Sequence, residues 1–596
     1  MKVFCLVLCI AAAALAADSQ SNPEVQTQLG RIRGSVLQSR SGKPIYAYRG
    51  IRYAQAPTGQ NRFKAPQAVQ AWSETLDATR DGPACPQPSS NQTESEDCLR
   101  LNIYTRQSPS NSQSQSSQND VIVFFHPGNY WSSSAASQEF GPQYLLEKNI
   151  VLVTVNYRLG SLGFMSTGDS NAPGNAGLKD QVEALRFVQK NIAQFNGNPN
   201  SVTILGYGAG AISVSLHYVS PMSQGLFQRA IAMSGAATLQ NPLPHSQEQL
   251  AHKQAELLGC NTDSHQAMFA CLLSKSAEQL GDSAPQLAER QGDPSLIWTP
   301  VVEPEIPGVE RFLPAQPADL IRERKINAVP LLIGVNRDEH GPVVINATQQ
   351  SQQGNNSIFD DYNNNWSKIA PISFYYERNG SRSTRISKEL KSHYLNDQPV
   401  SASNARQLGN IYSDVWVNFP VYRYVKLAAE YSSQPVYYYQ FASEGSDSFA
   451  KWSNGSNYGV AHQDDLLYLF NVSSHSPISP SQPREFKTLQ RYTALIANFA
   501  RSGQPTPQSG QNNAGSDDSN NQDNDANNNA DLASVNFQPS TAAEPKYLEI
   551  GERLQMKSGY INAQRMNKLE ELFPLPAIGQ SDNQYPNNQQ YYTHQG

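Results

Sequence analysis

Five short runs stand out along the chain because apolar residues fill both alternations: VIVFFH at 121–126, IVLVTVNYR at 150–158, SVTILG at 201–206, VPLLIGVN at 329–336 and VYYYQF at 436–441. Strands apolar on both faces suit a sheet that is covered on both sides. Between them the period changes. The segment NAGLKDQVEALRFVQKNIAQF, at 175–195, places Leu178, Val182, Leu185, Val188 and Ile192 at spacings of three and four, the stripe of a helix lying on that sheet. Strands alternating with helices predict an α/β fold whose central sheet is mostly parallel and flanked by helices.

Three polar stretches interrupt the pattern, at 107–120, 507–531 and 577–596, all crowded with Asn, Gln or Ser. They hold too little apolar surface to offset the entropy of ordering, so they are predicted as two disordered inserts and a disordered tail. The rest, 23–576, reads as one large domain. Composition agrees: 38% hydrophobic and 16% charged residues fall short of about 45–50% and about 25% in ordinary globular chains. Forty-five basic against 51 acidic residues, a net charge of −6, leave no polybasic footprint, which argues against a nucleic acid partner.

The first 17 residues, MKVFCLVLCIAAAALAA, carry one early cation, Lys2, an apolar run too short for a bilayer, and Ala14-Leu15-Ala16 ahead of polar Asp18. That is the pattern of a secretory leader. No later run reaches the ~18–20 uninterrupted apolar residues of a membrane helix, so a secreted, extracellular protein with no membrane span is expected. Cys5 and Cys9 leave with the leader, and Cys85, Cys98, Cys260 and Cys271 remain. Four cysteines allow three pairings, of which Cys85–Cys98 and Cys260–Cys271 close the shortest loops. Neither pair has C-x-x-C spacing or a neighbouring His pair, so no metal and no cofactor are expected. Glycosylation sequons fall at Asn91, Asn346, Asn355, Asn365, Asn379, Asn454 and Asn471.

The segment VTILGYGAGAISVSLHYVS carries the most chemistry. A strand runs into Gly206-Tyr207-Gly208-Ala209-Gly210 and on into a helix, the context of the G-x-S-x-G nucleophile elbow, with Gly208 where the serine belongs. Together with GIRYAQAP (50–57), EDCLRLNIY (96–104), VTVNYRLGSLGF (153–164), PGNAGLKDQVEALRFVQKNIAQFNGNP (173–199), GVNRDEHG (334–341) and AHQDDLLYLF (461–470), it makes the chain similar to the type-B carboxylesterase and cholinesterase-like family of α/β-hydrolases. The resemblance implies an α/β-hydrolase fold and supports the two short-loop disulfides. Carried over by position, it puts the acid at Glu339, the general base at His462 and the nucleophile at Gly208, and the oxyanion hole at Gly128, Asn129 and Ala209.

Gly208 has no side chain with which to form the acyl-enzyme. Ser213 and Ser215 lie in the following helix, away from the sharp turn. The oxyanion run is altered too: His126-Pro127-Gly128-Asn129 has Pro127, which fixes its own φ and restricts His126, and Asn129, which adds a side chain where backbone must approach substrate. The Cys85–Cys98 loop contains no tryptophan, so a choline-type pocket is not supported. The resemblance therefore implies a non-catalytic, glutactin-like secreted glycoprotein with an unidentified extracellular protein partner in matrix, adhesion or signalling. It also admits a homodimer through the helix-like INAQRMNKLEELF at 561–573. The alternatives are a carrier of a small hydrophobic ligand in a vestigial gorge and a residual ester hydrolase.

Overall fold

The apolar runs become the middle of an 11-stranded sheet. The computed structural model describes residues 22–88, 92–108, 118–290, 292–506, 532 and 534–580. The leader, Asn91, the insert at 507–531 and most of those at 107–120 and 577–596 lie outside the described residues. In chain order the strands are β1 (Glu24–Gln26), β2 (Arg31–Arg33), β3 (Ser35–Gln38), β4 (Pro44–Arg52), β5 (Leu76–Asp77), β6 (Arg100–Thr105), β7 (Asn119–Phe125), β8 (Ile150–Val155), β9 (Gly197–Tyr207), β10 (Arg229–Met233), β11 (Leu331–Asn336), β12 (Val436–Phe441), β13 (Lys546–Ile550) and β14 (Leu554–Ser558). The large sheet runs β14-β13-β12-β11-β10-β9-β7-β8-β6-β4-β3, and β1-β2-β5 form a small second sheet. Every pairing from β8 through β7 to β13 is parallel, and antiparallel pairs close both ends.

Alternation within β7 shows why both phases are apolar. Val121, Val123 and Phe125 enter one core cluster while Ile122 and Phe124 enter the other. The helices used below are α1 (Ala176–Asn191), α2 (Ala209–His217), α3 (Glu248–Leu257), α4 (His265–Ser274), α5 (Gly341–Gln352), α6 (Pro483–Ser502) and α7 (Ala563–Leu572). Leu178, Val182, Leu185 and Val188 of α1 pack into the first cluster, and Leu489, Leu495 and Phe499 of α6 into the second. Helix α1 is buried beyond its stripe: Lys179 pairs with Glu303 at 2.5 Å and Asp180 with Arg158 at 2.6 Å, all four side chains almost wholly enclosed. Tyr437, Tyr438 and Tyr439 of β12 are likewise core.

Two expected boundaries shift. Strand β7 begins at Asn119, inside the polar stretch assigned to an insert, because Asn119 pairs with Gly197 and Asp120 with Ile150. At the other end, residues 577–580 form a turn against the domain, where the Gly579 N–H lies 3.4 Å from Asp319. Both disulfides form as Cys85–Cys98 and Cys260–Cys271. Asn346, Asn355, Asn365, Asn379 and Asn454 are exposed, and Asn471 is half-buried. Met566, Leu569 and Leu572 of α7 pack into their own domain. Among the described residues no helix is long and apolar enough to cross a membrane.

Candidate active site at the carboxyl ends of the strands

In an open parallel sheet, the loops beyond the carboxyl ends of the strands converge, and that is where sites are built. Here β7 delivers His126 to Asn129, β9 delivers Gly208, β11 delivers Glu339, and the loop after β12 delivers His462. The β9–α2 junction is tight enough to dictate its residues. A Cβ on Gly206 would overlap the Gly210 carbonyl, and one on Gly210 would overlap that of Phe125. Gly208 itself sits at φ 53°, ψ −113°, a conformation costly to any residue with a side chain.

The acid and base are closely joined. His462 Nδ1 lies 2.6 Å from Glu339 Oε2. Glu339 is fully buried, and its Oε1 accepts from the Ser234 hydroxyl and from the Asn336 N–H, each at 2.7 Å. The His462 N–H donates to the Glu339 carbonyl at 2.8 Å, so backbone and side chain fix the pair together. Tyr207 meets the imidazole edge-on at 4.9 Å, and its hydroxyl accepts from the Gln463 N–H at 2.6 Å. The other imidazole nitrogen points at the elbow: a Cβ built on Gly208 would stand 3.2 Å from His462 Nε2 and 3.8 Å from Pro127 Cβ. The base is thus aimed at a position that offers no hydroxyl.

Neither nearby serine is turned toward it. Ser213 donates to the Ala209 carbonyl and contacts Tyr130 and Gln181, while Ser215 donates to the Ile212 carbonyl and accepts from the Ala237 N–H. Both are completely buried. On the oxyanion side, Gly128, Asn129 and Tyr130 follow one another at φ 112°, 52° and 64°. Tyr130 is held there by burial and by its hydroxyl contact with Ser213, whereas Asn129 is exposed. His126 Nδ1 donates to the Pro127 carbonyl at 2.7 Å, and burial pushes this imidazole down to about 4. Ala209 is the first residue of α2, so its N–H is one of the unpaired donors at a helix start.

Ser234, Asn336, Tyr207 and the pair Asp464 and Asp465 are site residues that sequence reasoning passed over. Asp465 accepts from Asn336 Nδ2 at 2.9 Å and from the Tyr492 hydroxyl at 3.1 Å. Asp464 accepts from the Ala461 and Phe449 N–H groups at 2.8 Å. Together they hold the His462 loop, and burial pushes Asp465 up to about 6. The only hint in the sequence was the doubled Asp directly after His462-Gln463. Among the described residues, the one grouping of three metal-ligating side chains lies elsewhere, on α3 and α4.

The carboxylesterase family model matches residues 21–568. The chain belongs to the carboxylesterase family. Among its carboxylesterase relatives, esterase FE4 of Myzus persicae is 34% identical over 509 residues, covering 83% of this chain and 87% of that protein. Juvenile hormone esterase of Tribolium castaneum is 33% identical over 526 residues, covering 83% and 86%. The crystal structure of juvenile hormone esterase from Manduca sexta, with OTFP covalently attached, superposes with a TM-score of 0.78 at 26% identity, covering 93% of this chain and 100% of that one. The carboxylesterase fold is therefore the α/β-hydrolase fold expected from the motifs.

Proposed function

We propose that this member of the carboxylesterase family is a secreted glycoprotein without catalytic activity, glutactin-like in kind, that works through extracellular protein contacts in matrix, adhesion or signalling. The observation that carries the reading is the glycine at the elbow. His462 Nε2 faces residue 208 with Glu339 on its other nitrogen, and residue 208 has no hydroxyl or thiol to offer it. Acyl transfer by this machinery runs through a covalent ester on the elbow side chain, and glycine cannot form it. The altered oxyanion run adds to the argument, since losing one well-aimed donor costs about 10²–10³ in rate. The leader, the exposed sequons and the two disulfides support an extracellular setting.

The test uses the ligand that the Manduca sexta esterase carries covalently. Incubated with OTFP or an organophosphate, this protein is expected to keep its intact mass, and to hydrolyse short acyl esters no faster than buffer. A stoichiometric adduct overturns the reading. Proximity labelling with the intact secreted protein then identifies the partner. The imidazole aimed at position 208 favours one second reading, a residual hydrolase in which His462 activates water. Ester turnover that disappears in His462→Ala would establish it.

A further inference from the structure

Helices α3 and α4 bring together side chains that the esterase chemistry does not use. Glu248 and His252 stand four residues apart on α3, so they share one face. His265 opens α4, and the Cys260–Cys271 disulfide ties that helix to the chain just beyond α3. His265 Nε2 lies 2.6 Å from Glu248 Oε1, and His252 Nε2 lies 3.8 Å from the same oxygen. One donor atom from each residue falls within 4.8 Å of the other two, and all three side chains are half-buried. On the far side of His265, Nδ1 lies 3.7 Å from Asp169 Oδ2. Asp169 is itself fixed by the Thr167 hydroxyl at 2.7 Å and the Asn171 N–H at 2.9 Å.

We propose that Glu248, His252 and His265 form a binding site for a divalent transition metal of the zinc type, with Asp169 orienting His265 from behind. The donor set suits that ion. Two imidazoles and one carboxylate are ligands that zinc accepts, whereas calcium and magnesium want oxygen alone. Zinc bonds of about 2.0–2.1 Å place tetrahedral ligands about 3.3 Å apart. The 2.6 and 3.8 Å separations from Glu248 Oε1 bracket that value, and all three donor atoms lie within 4.8 Å of one another, so the site needs adjustments of about an ångström to close. A carboxylate on the outer nitrogen of a ligating histidine is the arrangement that fixes its tautomer and raises its basicity. The three ligands leave a fourth position for water, or for a carboxylate or imidazole of a partner protein.

Without metal, the same groups form an ion-pair cluster. The hydrogen bond to Glu248 raises the His265 pKa, with Asp169 adding to it. The sequence offered no warning of the site, because its parts come from three segments and match no short metal motif.

The experiment titrates Zn²⁺ calorimetrically into the untagged, chelator-treated full chain. One ion per chain is expected, with a Kd of about 10 µM or tighter. His252→Ala and His265→Ala should each weaken binding at least about tenfold, and Asp169→Asn about tenfold. His475→Ala, a histidine paired with Asp447 elsewhere, should leave it unchanged. Co²⁺ should give the visible absorption of tetrahedral coordination, lost in the His252/His265 double variant. His252→Gln replaces His252→Ala if the latter fails to show a wild-type melting transition. The proposal is overturned if the folded wild-type chain shows no saturable Zn²⁺ binding below about 1 mM, or if the two histidine variants bind as tightly as wild type.

Discussion

On one side of the carboxylesterase site, Glu339 is wholly buried and gathers Ser234, Asn336 and His462 around its two oxygens. On the other, Gly208 contributes no side chain, and Asn129 of the oxyanion run is exposed. The two regions were expected to serve one reaction, yet they differ in what a substitution there costs the fold. Removing a buried acceptor strands its donors, at about 1–3 kcal/mol for each group left unpaired. Removing a serine from a strained elbow relieves a cost of similar size. On stability grounds the Glu339–His462 pair is therefore costly to lose, whereas glycine at the turn costs nothing.

The sharpest way to break this contrast is Glu339→Ala. It leaves the Ser234 hydroxyl, the Asn336 N–H and His462 without their shared acceptor, and a loss of about 3–5 kcal/mol in urea unfolding is expected. A loss no larger than that of an exposed substitution would show that fold stability does not explain why the pair persists.

Next in size is the acid response of the oxyanion side. Burial lowers the His126 pKa to about 4 from its ordinary 6.5. The unfolded chain thus takes up the proton first, so this contribution to stability is complete above about pH 6.5 and is lost as pH falls toward 4. The slope is about 1.4 kcal/mol per pH unit in that window. His126→Gln should remove that slope from the pH dependence of unfolding. An unchanged profile would mean that water reaches His126 in spite of its burial, and that the oxyanion side is open beyond the exposed Asn129.

A smaller effect is expected of Gly208→Ser, which should destabilise by about 1–3 kcal/mol, since a side chain must occupy the strained turn. The 3.2 Å between the new Cβ and His462 Nε2 also requires the imidazole to yield slightly. Weak ester hydrolysis should accompany the change, and Pro127→Gly with Asn129→Gly should raise it. A triple variant that folds normally and stays inert would place the damage in the base as well as in the nucleophile and the oxyanion run.

What could be read from the chain was local. The doubly apolar runs specified buried strands, and the three-and-four spacing specified α1, because side-chain direction along one element repeats with a fixed period. The glycines around position 208 marked a strand turning sharply into a helix, since only small residues survive the approach of Phe125 and Gly210. The polar stretch at 107–120 misled at its end. Asn119 and Asp120 look like loop residues, but the neighbouring strands β8 and β9 supply them with backbone partners.

By itself, then, the sequence determined the five central strands, the helix that follows β8, the elbow and the absence of a hydroxyl at its tip. Tertiary structure decided what surrounds the site and what else the molecule holds. Ser234 reaches Glu339 across 105 residues, and Asn336 reaches Asp465 across 129. Glu248, His252, His265 and Asp169 meet only because two helices and a loop are packed side by side. Apart from the four-residue spacing of Glu248 and His252, such contacts leave no period in the chain, because they depend on the direction in which separate elements are brought together and not on the residues next to each other in sequence.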